Sequence, residues 1–215
     1  MTRRKRWTML TSGAIAAVAV LIAAKAPTDK PECEIARDWA EANAARLPTT
    51  LEGLSSHSLT YRRAIYVLLP ASVQRDLWRT HLASFLGSAS TLDAEQRSLV
   101  EDAMANIDQY AADTALSHAF HRRARAAFTT EQGAPIFATL GSPPTNPTRP
   151  ARGLAALSAG CNCELGDSWC WFEWCVDTGR CTVGSGCGTF WTGPCNGTCG
   201  AAEEMSSSQP SLGAR

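Results

Sequence analysis

The residues best suited to chemistry in this 215-residue chain are its cysteines, because eight of the nine fall within residues 161–199. Such a cluster can form disulfides or hold zinc through thiolates. No two of the eight have the two-residue spacing of a common zinc pair, and the segment contains no histidine, so we favour four disulfides. The pairing stays open among Cys161, Cys163, Cys170, Cys175, Cys181, Cys187, Cys195 and Cys199.

Six aromatic side chains share the same segment, which is too short to bury all of them in a core of its own. We expect several to be exposed and to contact a membrane interface or another ligand; the alternative is that they cover the disulfides. The segment has four acidic residues and one arginine, which argues against simple attraction to anionic lipids. The six are Trp169, Trp171, Phe172, Trp174, Phe190 and Trp191.

The helices that must position this segment are predicted over residues 33–140, where apolar side chains recur at helical spacing without sustained strand-like alternation. Asp93 and Gln96 form a capping-box pair ahead of one such apolar stripe. These patterns predict a mainly α protein, in which a small domain of five or six helices precedes a small disulfide-rich, loop-rich module over 161–199.

The region between the helices and the cysteines is rich in proline, with four prolines in residues 141–153. Because proline continues neither a helix nor a central strand, 141–160 is predicted to be a linker. Its arginines would suit a processing protease, and a plain tether is the alternative. The Ser-rich tail, 200–215, is predicted to be disordered. The ninth cysteine, Cys33, is free, buried or paired with another chain.

The amino terminus has the pattern of an export signal. Residues 3–6 read RRKR, and the following residues 7–24 carry no charge. We therefore predict a signal peptide over 1–26 and a secreted or extracytoplasmic location, where thiols oxidise. Pro27 follows an A-x-A match to a signal peptidase site and disfavours cleavage there, so retention of 7–24 as a membrane anchor stays open.

The histidines are the second group of candidates. His118 and His121 are three residues apart and share a helix face, where a carboxylate such as Asp113 could complete a metal site. Three neighbouring arginines would repel a cation, so we favour a solvated face and predict no metal or cofactor. His57 and His81 are isolated and are expected at the surface or at helix ends.

The remaining motifs carry less information. Arg62 and Arg63 are adjacent and could bind phosphate, but we favour an exposed helix face. The chain contains neither G-x-S-x-G nor H-E-x-x-H, so we predict that it is not an enzyme. Basic and acidic residues number 20 each, which excludes a generally basic nucleic-acid-binding protein.

The cysteine segment contains the motifs CNC, WC, FEWC, TGRC, GCGTFW and CNG, and the helical segment contains CEIARDWAEANAARLPTT, YRRAIYVLL, LWRTHL and LDAEQ. Together these motifs resemble those of the fulvocin C family of cysteine-rich bacteriocins. The resemblance covers residues 33–199. It implies a secreted precursor whose carboxyl-terminal module is a disulfide-held antimicrobial peptide, with all eight cysteines in crosslinks and no catalytic residues.

Two functions follow as hypotheses. In the first, the chain is an exported bacteriocin-like precursor. The helices keep the module soluble, a protease cuts the linker, and the module acts on a target membrane or an envelope receptor. In the second, the chain is a membrane-tethered extracellular binding or adhesion protein that has no killing activity.

Overall fold

The computed structural model describes residues 30–88, 92–142, 162–167, 169–170, 174–177 and 184–200. In these ranges seven α-helices precede four short strands, which confirms a mainly helical fold with a small disulfide-rich region. We call residues 30–142 the helical region and residues 162–200 the cysteine-rich region. The helices are α1 (Glu32–Ala42), α2 (Leu51–Ser55), α3 (Leu59–Leu68), α4 (Ala71–Ser88), α5 (Ala94–Ala112), α6 (Thr114–Ala127) and α7 (Thr130–Phe137).

Local sequence sets several helix boundaries through capping side chains. The Asp93 carboxylate accepts a hydrogen bond from Gln96 N, and Gln96 Oε1 accepts from Asp93 N, so the predicted capping box begins α5. Asp113 caps α6 by accepting from two amides of its first turn. The described helices exceed the expected number because α2, capped by Thr50, is too short to show a helical period.

The helices enclose a hydrophobic core. Helix α1 packs on α3, and α4, α5 and α6 pack against one another in chain order. Burying a large apolar side chain contributes roughly 1.5–3 kcal/mol, so this core is the main source of stability. The largest fully buried apolar side chains of the helical region are Trp78, Phe120, Phe137, Leu54, Ile65, Leu82, Ile107 and Leu140.

His81 lies inside this core, and the expectation of a surface position is wrong for it. Its side chain is 2% exposed because α4 packs on α7 at this point. The ring Nε2 donates to Pro135 O at 3.0 Å, and Nδ1 accepts from Gly141 N at 3.3 Å. Burial lowers the pKa of His81 to about 4, so the ring is neutral at pH 7. His57 is half-buried, with its ring 5.2 Å from that of Trp39.

Two small antiparallel sheets form the cysteine-rich region. Strand β1 (Trp174–Val176) pairs with β4 (Thr198–Gly200), and β2 (Gly184–Cys187) pairs with β3 (Gly193–Cys195). A 3₁₀ turn over Thr189–Trp191 lies between β2 and β3. Two-stranded sheets are marginally stable alone, so this region depends on its crosslinks and its packing.

Disulfides join six of the eight clustered cysteines, as Cys163–Cys175, Cys170–Cys199 and Cys187–Cys195. These crosslinks confirm a disulfide-rich region. The remaining two, Cys161 and Cys181, lie outside the described residues. Cys33, on α1, has a free thiol, and its partial burial raises its pKa.

Several predicted segments lie outside the described residues: the signal peptide or anchor over 1–26, most of the linker, and the tail beyond Gly200. Within the described part of the chain, none of the helices combines the length and apolar character needed to cross a bilayer. The three disulfides fit an oxidising, extracytoplasmic environment.

Candidate functional site

The two regions meet through the 3₁₀ turn, whose rings enter the helical core. Phe190 is fully buried, and Trp191 is 3% exposed. The Phe190 ring stacks on Tyr110 with centroids 5.8 Å apart and meets Trp78 edge-on at 5.5 Å. Trp191 meets Tyr66 edge-on at 5.2 Å, and its indole N–H donates to a carbonyl just after α7 at 2.8 Å. The helical and cysteine-rich regions therefore share one hydrophobic core.

Trp169 of the cysteine-rich region joins the same core. Its side chain is 6% exposed and meets the His121 ring edge-on at 5.1 Å. It lies directly against Gly133 of α7, where an added Cβ would stand 2.1 Å from a ring carbon. Helix α7 therefore requires glycine at this position in order to receive the indole ring.

The structure thus buries three of the six aromatic residues that we expected to offer a contact surface, Trp169, Phe190 and Trp191. The expectation treated the cysteine segment alone, whereas the helices supply the apolar surface that the segment lacks. Trp171 and Phe172 lie outside the described residues, and Trp174 begins β1.

The backbone of the 3₁₀ turn is strained. Phe190 and Trp191 have φ angles of 55° and 56°, in the left-handed region that bulky side chains avoid. Each residue held in this conformation raises the free energy of the folded state by on the order of 1–3 kcal/mol. Such a conformation persists only where the surrounding structure holds it. Here the burial of both rings offsets the strain. The helical region therefore holds the turn in a conformation that is unfavourable without it.

A polar cluster lies beside this turn. It comprises His118 and His121 of α6, Glu164 and Asp167 of the cysteine-rich region, and Thr189, and we call it the His–carboxylate cluster. His118 Nε2 donates to Glu164 Oε1 at 2.8 Å, and His121 Nδ1 lies 2.6 Å from Asp167 Oδ1. His118 Nε2 is also 4.0 Å from Asp167 Oδ2. The two histidines, one helical turn apart, therefore face both carboxylates.

Thr189 holds Asp167 in place. Its amide donates to Asp167 Oδ2 at 3.1 Å, and its hydroxyl donates to Asp167 Oδ1 at 2.7 Å. The same hydroxyl accepts from the Trp169 indole N–H at 2.9 Å, and the Thr189 carbonyl accepts from the Ser117 hydroxyl at 3.1 Å. Because buried polar groups need such partners, the network fixes the position of the fully buried Asp167 side chain.

Glu164 is the least satisfied member of the cluster. Its side chain is 4% exposed, and burial raises its pKa, although the hydrogen bond from His118 acts in the opposite direction. Its Oε2 atom is buried without a hydrogen-bond partner among the described residues. This oxygen lies against Gly188 and Gly193, where an added Cβ would stand 2.0 and 1.8 Å from it.

The prediction of a solvated histidine face is wrong for His121, which is 8% exposed, and His118 is half-buried. The cysteine-rich region covers this face of α6. Asp113, the carboxylate that we expected beside the histidines, caps the helix instead. Glu164 follows His118 by 46 residues, and no sequence pattern connects it or Asp167 with the histidines.

Arg62 and Arg63 also differ from the expected exposed helix face. Arg63 is half-buried, burial lowers its pKa to about 10, and it donates to Asn162 O at 2.9 Å. Arg62 is 6% exposed. The two arginines are covered because the start of the cysteine-rich region and the end of the helical region both pack on α3. At 2.6–3.1 Å, Arg62 donates to the carbonyls of Ser55, His57, Leu140 and Ser142.

Two groups of potential metal ligands converge in the described residues. The donor atoms of His118, Glu164 and Asp167 all lie within 4.8 Å of one another. One imidazole and two carboxylates form a ligand set that Zn²⁺ and similar divalent ions accept. The second group consists of cysteine sulfurs that are already engaged in disulfides.

Comparison with known proteins gives no match, whether the chain is set against protein-family models, curated proteins or solved structures. The resemblance to the fulvocin C family therefore rests on the sequence motifs alone.

Proposed function

We propose that this chain is an exported bacteriocin-like precursor, in which the helical region masks the aromatic residues of a carboxyl-terminal disulfide-rich peptide. The observation that carries the proposal is the burial of Phe190 and Trp191 in the helical core. These rings belong to the segment that resembles the antimicrobial peptide, and the side chains that cover them come from α3, α4, α5 and α6.

Physical chemistry links this burial to activity. Removing the helices would expose both rings to water at a cost of roughly 1.5–3 kcal/mol each. The Cys187–Cys195 disulfide would still bracket the turn, since it lies within the peptide. Exposed tryptophan and phenylalanine on a crosslinked peptide favour the interface of a lipid bilayer. The masked form is therefore soluble, and the released form is suited to an envelope target.

The test is to place a specific protease site between residues 143 and 161 and to compare three samples. These are the intact chain, the peptide freed by cleavage and separated in denaturant without reductant, and the same peptide carrying Phe190→Ala and Trp191→Ala. We expect the free peptide to bind vesicles of phosphatidylethanolamine and phosphatidylglycerol, and to kill indicator bacteria. The intact chain and the double variant should do neither.

Two outcomes would refute the masking proposal. One is an intact chain that binds vesicles as well as the free peptide does, because masking then has no effect. The other is a free, disulfide-bonded peptide that is inert both on vesicles and on cells.

A membrane-tethered extracellular binding protein is the second candidate, and the shared core favours it, because two regions that fold together are suited to remaining together. Intact mass spectrometry of the native product from medium and membranes separates the candidates. A secreted fragment beginning near Cys161 fits the precursor, and a full-length, membrane-bound product fits the tethered protein.

A further inference from the structure

We propose that His118, Glu164 and Asp167 form a binding site for one divalent cation, with Zn²⁺ as the preferred ion, and that the ion joins α6 to the cysteine-rich region. This inference goes beyond masking and peptide release, and does not depend on them. It concerns the three members of the His–carboxylate cluster whose donor atoms converge within 4.8 Å.

The spacing of the donors suits zinc. Zinc lies about 2.0–2.2 Å from imidazole nitrogen and carboxylate oxygen, so tetrahedral ligands stand roughly 3–3.5 Å apart. His118 Nε2 is 2.8 Å from Glu164 Oε1 and 4.0 Å from Asp167 Oδ2. Small side-chain adjustments therefore bring all three donors to one ion. The ion would replace the proton that His118 Nε2 now donates in its hydrogen bond to Glu164.

The charge of the cluster favours a cation. The Glu164 and Asp167 side chains are 4% and 0% exposed, and buried carboxylates are costly unless cations or donors compensate them. Asp167 has its donors in Thr189 and His121. Glu164 has only His118 for one oxygen and, among the described residues, no partner for the other. A divalent ion would neutralise both groups and complete the coordination of Glu164.

Two glycines let the Glu164 carboxylate reach the cluster. A Cβ on Gly188 would stand 2.0 Å from Glu164 Oε2 and 3.3 Å from Asp167 Oδ2. A Cβ on Gly193 would meet both oxygens of Glu164, at 1.8 and 2.3 Å. Only glycine at both positions therefore accommodates the Glu164 carboxylate where it faces His118 and Asp167.

Access from solvent and the pairing of two neighbouring arginines both favour binding. The His118 side chain is 35% exposed, which gives an ion a route from solvent. Arg123 pairs with Asp102 at 3.0 Å, and the Arg125 guanidinium lies over the Trp169 ring, 5.2 Å from its centroid. These two arginines therefore direct their charge to partners of their own. The repulsion expected from sequence is weaker than their proximity to His118 implies.

The test is a calorimetric titration of the full chain with Zn²⁺ after chelator treatment, with Cys33→Ser in all samples so that the free thiol binds no zinc. We expect one zinc per chain and a higher melting temperature with zinc. His118→Gln should weaken binding at least tenfold, and the matched variant His57→Gln should bind as the parent does. Melting curves without zinc check that both variants are folded.

X-ray absorption of the zinc-loaded parent protein provides a readout that needs no variant. Nitrogen and oxygen ligands without sulfur are expected. The proposal is overturned by sulfur ligation, by equal zinc affinity in the two histidine variants, or by an absence of zinc binding. None of these results bears on vesicle binding by the freed peptide, so failure of the metal site and failure of the masking function are distinguishable.

Discussion

At the scale of single residues, His81 couples stability to pH. Burial lowers the pKa of its imidazole to about 4 in the folded chain, against 6.5 for the free group. The unfolded chain therefore binds a proton between these values that the folded chain does not bind. The contribution of His81 to the free energy of unfolding is fully present above about pH 6.5. It is lost as the pH falls towards 4, and the loss reaches about 3 kcal/mol.

This linkage predicts a pH-dependent free energy of unfolding that a single substitution flattens. Urea denaturation of the parent between pH 7 and pH 4.5 should show declining stability. His81→Gln, which cannot titrate, should lower stability at pH 7 but show a smaller decline. His57→Gln is the control, because the His57 side chain is half-buried, whereas His81 lies inside the core. An equal decline in parent and His81→Gln would contradict the assignment.

At the scale of elements, local sequence determines most of the helices, whereas contacts distant in the sequence determine the 3₁₀ turn. Caps such as Asp93 with Gln96 are local, and the apolar period is visible in the sequence, so most helices could be predicted. The turn could not, because its conformation depends on partners far away in the chain. Tyr66, for example, lies 124 residues before Phe190. Sequence composition identified the aromatic residues, but not the core that receives them.

The turn leads to a prediction about Trp191. Replacing it by alanine should lower the free energy of unfolding by about 3–5 kcal/mol, because a buried indole leaves a cavity. Trp191→Phe should lower the free energy of unfolding by less than Trp191→Ala does, although it removes the indole N–H that donates to Ala138 O. Leu116→Ala, at a side chain that is 40% exposed, is the control and should change stability little. Urea denaturation followed by circular dichroism measures all three, and a Trp191→Ala effect no larger than the control would contradict the packing.

At the scale of the whole molecule, the linker predicted over 141–160 lies between two segments of different amino-acid composition. These two segments nevertheless share one hydrophobic core. The sequence shows a helical segment followed by a cysteine-rich one, and both are present. It does not show that Trp169, Phe190 and Trp191 complete the helical core, or that the histidines of α6 meet carboxylates of the second region. Contacts across such separations leave no periodic signal in a single sequence.

The contacts of Arg62 and Arg63 have a consequence for the peptide release that we propose. Arg62 holds Ser142, where the helical region ends, and the adjacent Arg63 holds Asn162, where the cysteine-rich region begins. If a protease cut between these points, the two parts would stay together, because Ser142 and Asn162 are both hydrogen-bonded to α3. The product would be a nicked heterodimer. Under the proposed precursor function, cleavage and release would then be separate events, and local unfolding would determine when the peptide dissociates.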